Sequence, residues 1–227
     1  MEGPLDIVYE DSDLMILNKP AGVAVHPSPG HYDGQTLANR VVFYLAQTGQ
    51  TPTFRAINRL DRGTSGLMTC AKNKLSAHRL EELLSNDGIR RTYHAICEGI
   101  VTPESGTIDL PIGKAEGKGI MRQVREDGQR AVTHYRVLRR FGPVTYLSLR
   151  LETGRTHQIR VHMAHIGHPI LGDTVYGAKK AVPGLTGQCL HAVGLQFVHP
   201  RSGENVALHC SLPDEFLAYL KKLEHQL

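Results

Sequence analysis

Short apolar runs alternate with turn-forming residues in the first third of the chain. Residues 7–9 and 14–17 are apolar and flank an acidic turn, which predicts a β-hairpin. Thr36 precedes apolar residues at helical spacing, so we expect a helix from there to Gly49. A second helix is expected to begin at Ser76 as its cap and to end near residues 86–88.

Beyond Arg91 the pattern is typical of strands. Long-range β pairings with interspersed helices predict an α+β fold, with a mixed, largely antiparallel β-sheet flanked by helices. No repeat or linker interrupts the pattern, so the sequence predicts a single domain over residues 1–227. The expected strands cover residues 92–98, 132–139, 145–152, 190–198 and 206–209, and the expected helices cover residues 156–166 and a terminal segment opened by Pro213.

Composition narrows the class of protein. A chain of 227 residues with 41% hydrophobic content is long enough to bury a core. It contains no apolar run of about 20 residues and shows no signal sequence after Met1, so we expect a cytoplasmic protein that does not enter a membrane. The net charge is +4 and 17 of the 26 cationic side chains are arginine, which permits a polyanionic partner. The four cysteines form no C-x-x-C pair, which favours reduced thiols over zinc ligands or disulfides.

A first candidate site lies in residues 57–68, which read I-N-R-L-D-R-G-T-S-G-L-M. Asp61 stands between Arg59 and Arg62, and neighbouring positive charge keeps a carboxyl group ionised. An ionised, positioned aspartate can act as a nucleophile, as a base or as a stabiliser of a cation. An aspartate that closes a surface turn and pairs with arginine would produce the same pattern, so the residues alone leave both interpretations open.

A second candidate site lies in residues 151–169, which contain Arg155, Arg160 and four histidines. The histidine spacing lacks the H-E-x-x-H pattern and an acidic ligand, so no metal site is predicted. Arginine, threonine, histidine and glutamine side chains at the start of a helix suit phosphate or carboxylate groups instead.

Together the two segments resemble the RluA-type pseudouridine synthases. Residues 59–67 match the R-L-D-x-x-T-S-G-L signature of that family, and residues 153–169 match its T-G-R-T-H-Q-I-R-V-H-x-A-x-x-G-H-P segment. The resemblance runs from about residue 5 to residue 212. Shorter motifs agree in the same order, namely N-K-P-A-G at 18–22, G-D-x-x-Y-G at 172–177, L-H-A at 190–192 and F-V-H-P at 197–200.

The resemblance implies an isomerase that converts uridines of structured ribosomal or transfer RNA to pseudouridine without a cofactor or metal. It implies a central active-site cleft in which Asp61 is the essential catalytic carboxylate and Arg160 pairs with it. Tyr93 would stack on the target base and help to remove the C5 proton, and Leu190 would pack beside that base. We expect a monomer that binds neither DNA nor membranes. Because the N-K-P-A-G opening begins at residue 18, we expect no accessory RNA-binding domain of the kind that precedes the catalytic domain in many relatives.

RNA binding requires groups that hold an unstacked nucleotide. Extrusion of a uridine is least costly in loops and unpaired regions, so those are the expected targets. Arg59, Arg62 and Arg155 are candidates for contacts with phosphates, or for bracing the site. Basic pairs at residues 90–91, 139–140 and 179–180 would extend this footprint, although each pair alone is more often only a solvated surface.

The sequence departs from the family pattern at one position, and two alternative functions stay open. Many relatives have histidine before R-L-D, where this chain has Asn58, so any acid–base role of that histidine would be absent and a backbone-positioning role is expected. The alternatives are a non-catalytic RNA-binding module, in which Asp61 is only structural, and a hydrolase. The hydrolase would need a second carboxylate, for which Glu152 is the nearest candidate by motif.

Overall fold

The computed structural model describes residues 3–27, 35–117, 119–177 and 181–225. The chain forms two compact units, of which unit 1 contains Met1–Ile89 and Ala192–Ser211, and unit 2 contains Arg90–His191 and Leu212–Leu227. The predicted α+β class with mostly antiparallel strands is confirmed. No helix in the described ranges is long and apolar enough to cross a membrane. The basic pair at residues 179–180 lies outside the described residues.

Twelve strands and four helices lie in the described residues. In chain order they are β1 (Ile7–Glu10), β2 (Leu14–Lys19), α1 (Leu37–Gln47), β3 (Arg55–Ala56), β4 (Ser65–Ala71), α2 (Lys74–Ser85), β5 (Arg90–Glu98), β6 (Ser105–Asp109), β7 (Ile112–Lys114), β8 (Arg122–Val124), β9 (Val132–Arg140), β10 (Val144–Leu151), α3 (Gln158–His165), β11 (Leu190–Val198), β12 (Asn205–His209) and α4 (Asp214–Glu224).

Unit 1 is a small sheet with helices packed against it. Its strands follow the order β1-β2-β4-β11, while β3 pairs with β4 and β12 with β11, so the predicted hairpin at the start of the chain is confirmed. The central strand β4 is buried along its whole length. Apolar residues of the sheet and of α2 form one core, with Leu14, Ile16, Leu67, Leu80 and Phe197 among its members.

Two helix starts in unit 1 test the capping predictions. The hydroxyl of Thr36 accepts a hydrogen bond from the backbone N–H of Asn39, which confirms Thr36 as the cap of α1. The predicted cap of α2 was wrong, because Asn73 is the cap and its side chain accepts from the N–H of Ser76 at 2.8 Å. The hydroxyl of Ser76 donates instead to Asp13 at 2.7 Å.

Unit 2 contains an antiparallel sheet in the order β5-β10-β9-β6 and a separate two-stranded ribbon of β7 and β8. From Leu147 to Leu151, alternate residues of β10 are buried, and the three leucines lie on the buried face. Helix α3 begins at Gln158, two residues later than predicted, because His157 has a left-handed backbone with φ of 60°. Arg160 therefore lies in the first turn of this helix and not in the second.

Candidate active site

The buried ammonium group of Lys19 organises the backbone near Asp61 in unit 1. Lys19 ends β2 and its side chain is fully buried. Its Nζ donates to the carbonyl oxygens of Pro20 and Val23, both at 2.8 Å, and to that of Arg62 at 3.2 Å. Three acceptors match the three N–H donors of an ammonium group. Lys19 therefore ties the turn after β2 to the loop that carries Asp61.

Further backbone bonds fix the same loop. The N–H of Gly22 donates to the carbonyl of Arg62 at 2.8 Å, and the Nε of Arg62 donates back to the carbonyl of Gly22 at 2.8 Å. The N–H of Thr64 donates to the carbonyl of Asp61 at 3.0 Å, which closes a turn directly after the aspartate. These bonds fix the backbone that carries the Asp61 side chain. Asp61 is half-buried, so it keeps access to solvent.

Lys19 and Asp61 interact electrostatically. Burial lowers the pKa of Lys19 from its ordinary value of 10.5 to about 7, and the negative charge of Asp61 acts in the opposite direction. Lys19 belongs to the N-K-P-A-G motif at residues 18–22, and no role was predicted for it from the sequence. The one feature of the sequence that could have indicated its burial is its position as a single lysine at the end of an apolar strand.

Gly66 sets the start of β4, the strand that follows the Asp61 loop. It pairs with Lys19 of β2 and has φ of 111°. A Cβ atom on Gly66 would lie 2.3 Å from the carbonyl oxygen of Ala192, so only glycine fits at this approach of two backbones. The loop is thus anchored at its far end by the close contact of β4 with β11.

Asn58 serves the backbone just before the Asp61 loop. It is buried, and its side-chain oxygen accepts a hydrogen bond from the N–H of Thr69 at 2.8 Å. The N–H of Ile57 donates to the carbonyl of the same threonine at 2.9 Å. Asn58 therefore holds the segment against β4 through a neutral acceptor, a backbone-positioning contact of the kind expected for it.

Arg160 and Asp173 form a buried ion pair in unit 2. The Nε of Arg160 lies 2.6 Å from one carboxylate oxygen of Asp173, and an Nη atom lies 2.9 Å from the other. The carboxylate also accepts from the backbone N–H groups of Val175 and Tyr176 at 3.2 and 3.3 Å. The guanidinium carbon lies 4.9 Å from the centre of the Tyr176 ring. The role of Asp173 was not predicted from the sequence, and the pairing of Arg160 with Asp61 stays a prediction.

Tyr93 and Leu190 are buried residues of strands. Tyr93 lies in β5 opposite Leu149 of β10, and Leu190 is the first residue of β11. Arg59, Arg62 and Arg155 are exposed, as phosphate-binding side chains need to be. The Nε of Arg155 donates to the carbonyl of Arg130 at 3.0 Å.

Glu152, the second carboxylate of the hydrolase alternative, is already engaged. Its Oε1 lies 2.6 Å from the Nε2 of His134, and its Oε2 lies 3.4 Å from Arg130. The hydrogen bond with His134 lowers the pKa of Glu152 below its ordinary value. A carboxyl group that stays ionised is a poor general acid, so the structure does not favour this alternative.

The family model described as RNA pseudouridylate synthase matches residues 13–165, which include the Asp61 loop and Arg160. The chain belongs to this family. The RNA pseudouridine synthase YlyB of Bacillus subtilis is 43% identical to it over 222 residues, which cover 96% of this chain and 73% of that protein. The ribosomal large subunit pseudouridine synthase D of Vibrio parahaemolyticus is 42% identical over 232 residues, which cover 97% of this chain and 71% of that protein.

Solved structures agree with these relatives. Human RNA pseudouridylate synthase domain containing 4 superposes with a TM-score of 0.78 at 27% identity, and the match covers 96% of this chain and 93% of the human one. The predicted membership of the RluA-type pseudouridine synthases is confirmed. This pseudouridine synthase is an isomerase that acts on RNA, and the non-catalytic alternative is not favoured.

Proposed function

We propose that this pseudouridine synthase isomerises uridines of large-subunit ribosomal RNA and uses Asp61 as its essential carboxylate. The observation that carries the catalytic assignment is the half-buried Asp61, in a loop whose backbone is tied to the turn after β2 through Lys19 and Arg62. The RNA class is supported by the 42% identity to a ribosomal large subunit enzyme over 97% of this chain.

The reaction explains why a fixed carboxylate is needed. The bond from ribose C1′ to uracil N1 breaks, the base turns, and a new bond forms from C1′ to C5. The proton on C5 leaves and N1 gains a proton, so no group is lost and no redox step occurs. Positive charge develops on the sugar when the first bond breaks. A nearby carboxylate can stabilise that charge, attack C1′ or accept a proton, and we assign this part of the chemistry to Asp61.

The remaining candidates provide the surroundings of the uridine. We propose that Arg160, whose orientation is fixed by Asp173, places a positive charge beside the catalytic carboxylate. Tyr93 and Leu190 would provide aromatic and apolar surface for the extruded base, the usual way in which proteins hold unstacked RNA bases. The exposed side chains of Arg59, Arg62 and Arg155 would bind phosphates.

We further propose that residues 1–227 act as one catalytic domain, as a monomer, in the cytoplasm. Within the described residues the four cysteines form no disulfide, and three of them are buried, which suits a reducing compartment. Sedimentation velocity tests the monomer, and cell fractionation tests the location.

Tritium release tests the activity and the RNA class together. RNA labelled with tritium at uridine C5 is prepared from cells that lack this enzyme and is separated into large-subunit, small-subunit and transfer fractions. We expect release of tritium from the large-subunit fraction with no free uracil. Release from the transfer fraction alone would contradict the RNA class, and free uracil would indicate a hydrolase. No release from any fraction would contradict the proposed function.

A further inference from the structure

A pocket in unit 2 lies between the β7–β8 ribbon and the segment that leads into α3. Its volume is about 280 Å³, which is large enough for a phosphate group with part of its ribose. Exposed side chains at its rim include Lys114 and Arg155, so a polymer chain can enter and leave. The lining residues are Ile112, Gly113, Lys114, Arg122, Asp127, Gly128, Gln129, Arg155 and Thr156.

The three cations of this pocket have no carboxylate partner among the described residues. The guanidinium of Arg122 donates to the carbonyls of Ile120 and Met121 at 3.0 and 3.3 Å. The Nε of Arg155 also donates to a carbonyl. The ammonium of Lys114 has neither a hydrogen bond nor an ion pair within the part of the chain that the structure describes. Backbone carbonyls orient Arg122 and Arg155, and no carboxylate of the described residues compensates the positive charge of the three groups.

The carboxylate that lines the pocket does not cancel this charge. Asp127 is bound by Arg125 through two hydrogen bonds, one of them 2.8 Å from Nη2 to Oδ2. Arg125 also lies 3.4 Å from a carboxylate oxygen of Glu116, so these three side chains together carry one net negative charge. The three remaining cations outnumber that charge, so the pocket keeps an excess of positive charge.

The strand register places two of these cations directly opposite each other. Lys114 of β7 pairs with Arg122 of β8 in the antiparallel ribbon. Like charges at opposed positions destabilise a strand pair, and a two-stranded ribbon has little stability of its own. A bound anion would turn this repulsion into attraction.

We propose that this pocket binds a phosphodiester group of the RNA substrate through Lys114, Arg122 and Arg155. The proposal rests on the proposed function, because it assigns the anion to the RNA backbone. A phosphodiester suits a pocket with an exposed rim, and the start of α3 beside Thr156 adds the positive end of a helix dipole.

RNA binding at several salt concentrations tests the pocket through Lys114→Gln. Loss of one phosphate contact is expected to weaken binding by about threefold to tenfold and to reduce the slope of log Kd against log salt by about one. The kcat at saturating RNA is expected to stay close to that of the wild type. Lys114→Arg keeps the positive charge and is expected to bind RNA like the wild type. Lys222→Gln removes the same charge from an exposed side chain of α4 and is expected to change neither the affinity nor the slope.

Lys114→Gln with wild-type affinity and slope would overturn the proposal. Inorganic phosphate is the second probe. If phosphate binds the wild type and not Lys114→Gln, while both proteins bind RNA equally, the pocket is a site for free phosphate and the proposal is wrong. Binding does not require turnover, so a wild type that binds RNA without tritium release would contradict the proposed function and leave the pocket measurement intact.

Discussion

Arg160 and Asp173 share two hydrogen bonds in the interior of unit 2, at 2.6 and 2.9 Å. Asp173 comes from the G-D-x-x-Y-G segment, which also places the Tyr176 ring against the guanidinium. Residues from two motifs that are separate in the sequence are thus in direct contact. The later motif fixes the arginine of the earlier one, so Asp173 is a positioning residue for Arg160.

We predict that Asp173→Ala lowers the free energy of unfolding by about 3–5 kcal/mol, because it removes the buried carboxylate that makes two hydrogen bonds with the Arg160 guanidinium. Urea unfolding measures this difference. The matched control is Glu224→Ala, which removes the exposed 2.7 Å ion pair with Arg139 in the same unit and is expected to cost less than about 1 kcal/mol. Equal effects of the two substitutions would contradict the role given to Asp173.

Lys19 makes stability depend on pH in a defined direction. Its pKa is about 7 in the folded protein and close to 10.5 in the unfolded chain. Between these values the unfolded state binds more protons, so the contribution of Lys19 to stability rises with pH. Below about pH 6 the lysine is protonated in both states and its contribution is constant.

Comparison with Lys19→Met isolates this dependence, because the other titrating groups are shared. We expect the free energy of unfolding of the wild type minus that of Lys19→Met to increase from pH 7 to pH 10 and to level off below about pH 6. Lys74→Met, on the exposed face of α2, is the control and should give a constant difference throughout. A constant difference for Lys19→Met would show that burial does not lower its pKa.

Gly66→Ala is expected to be more damaging than an ordinary glycine substitution. The new Cβ would overlap the backbone of Ala192, and the alanine would have to adopt a φ of 111°, which is unfavourable for residues other than glycine. Gly49 also has positive φ, but a Cβ there meets no atom within 4 Å, so Gly49→Ala measures the conformational cost alone, about 1–2 kcal/mol. Thermal unfolding of both variants separates the two contributions. A smaller loss for Gly66→Ala than for Gly49→Ala would refute the close approach of β4 and β11.

Asn58→Ala is predicted to destabilise the protein by about 1–3 kcal/mol, because the buried N–H of Thr69 loses its acceptor. Asn205→Ala, at an exposed position of β12, is expected to stay within about 0.5 kcal/mol of the wild type. Chemical unfolding compares the two. Asn58→His should recover stability, since a ring nitrogen can accept the same hydrogen bond, and failure of this rescue would count against a backbone-positioning role.

The elements with clear periodicity were predictable from the sequence. The hairpin of β1 and β2, helix α1 with its Thr36 cap, and the long strands β5, β9 and β10 follow from local pattern alone. Strand β4 was missed because all seven of its residues are buried, so it shows no alternation of polar and apolar positions. Helix α2 was given the wrong cap because Asn73 and Ser76 are both suitable cap residues.

The site was predictable in part. The charged loop around Asp61 and the exposed arginines can be read from residue types and from the resemblance to a family. Three features could not be predicted from the sequence, because each depends on residues that folding brings together from distant segments. They are the three carbonyls around the Lys19 ammonium, the ion pair of Arg160 with Asp173, and the cationic pocket. Lys114 and Arg122 are ordinary surface cations until the ribbon register sets them opposite each other.

The most direct test of the central claim is Asp61→Asn assayed on large-subunit ribosomal RNA. We predict that tritium release from uridine C5 falls by roughly 10³-fold or more, while RNA affinity stays within about threefold of the wild type, since phosphate contacts supply most of the binding. Asp214→Asn, an exposed change of the same kind in α4, should leave both unchanged. Tritium release by Asp61→Asn at a rate near that of the wild type would contradict the assignment of Asp61 as the essential carboxylate.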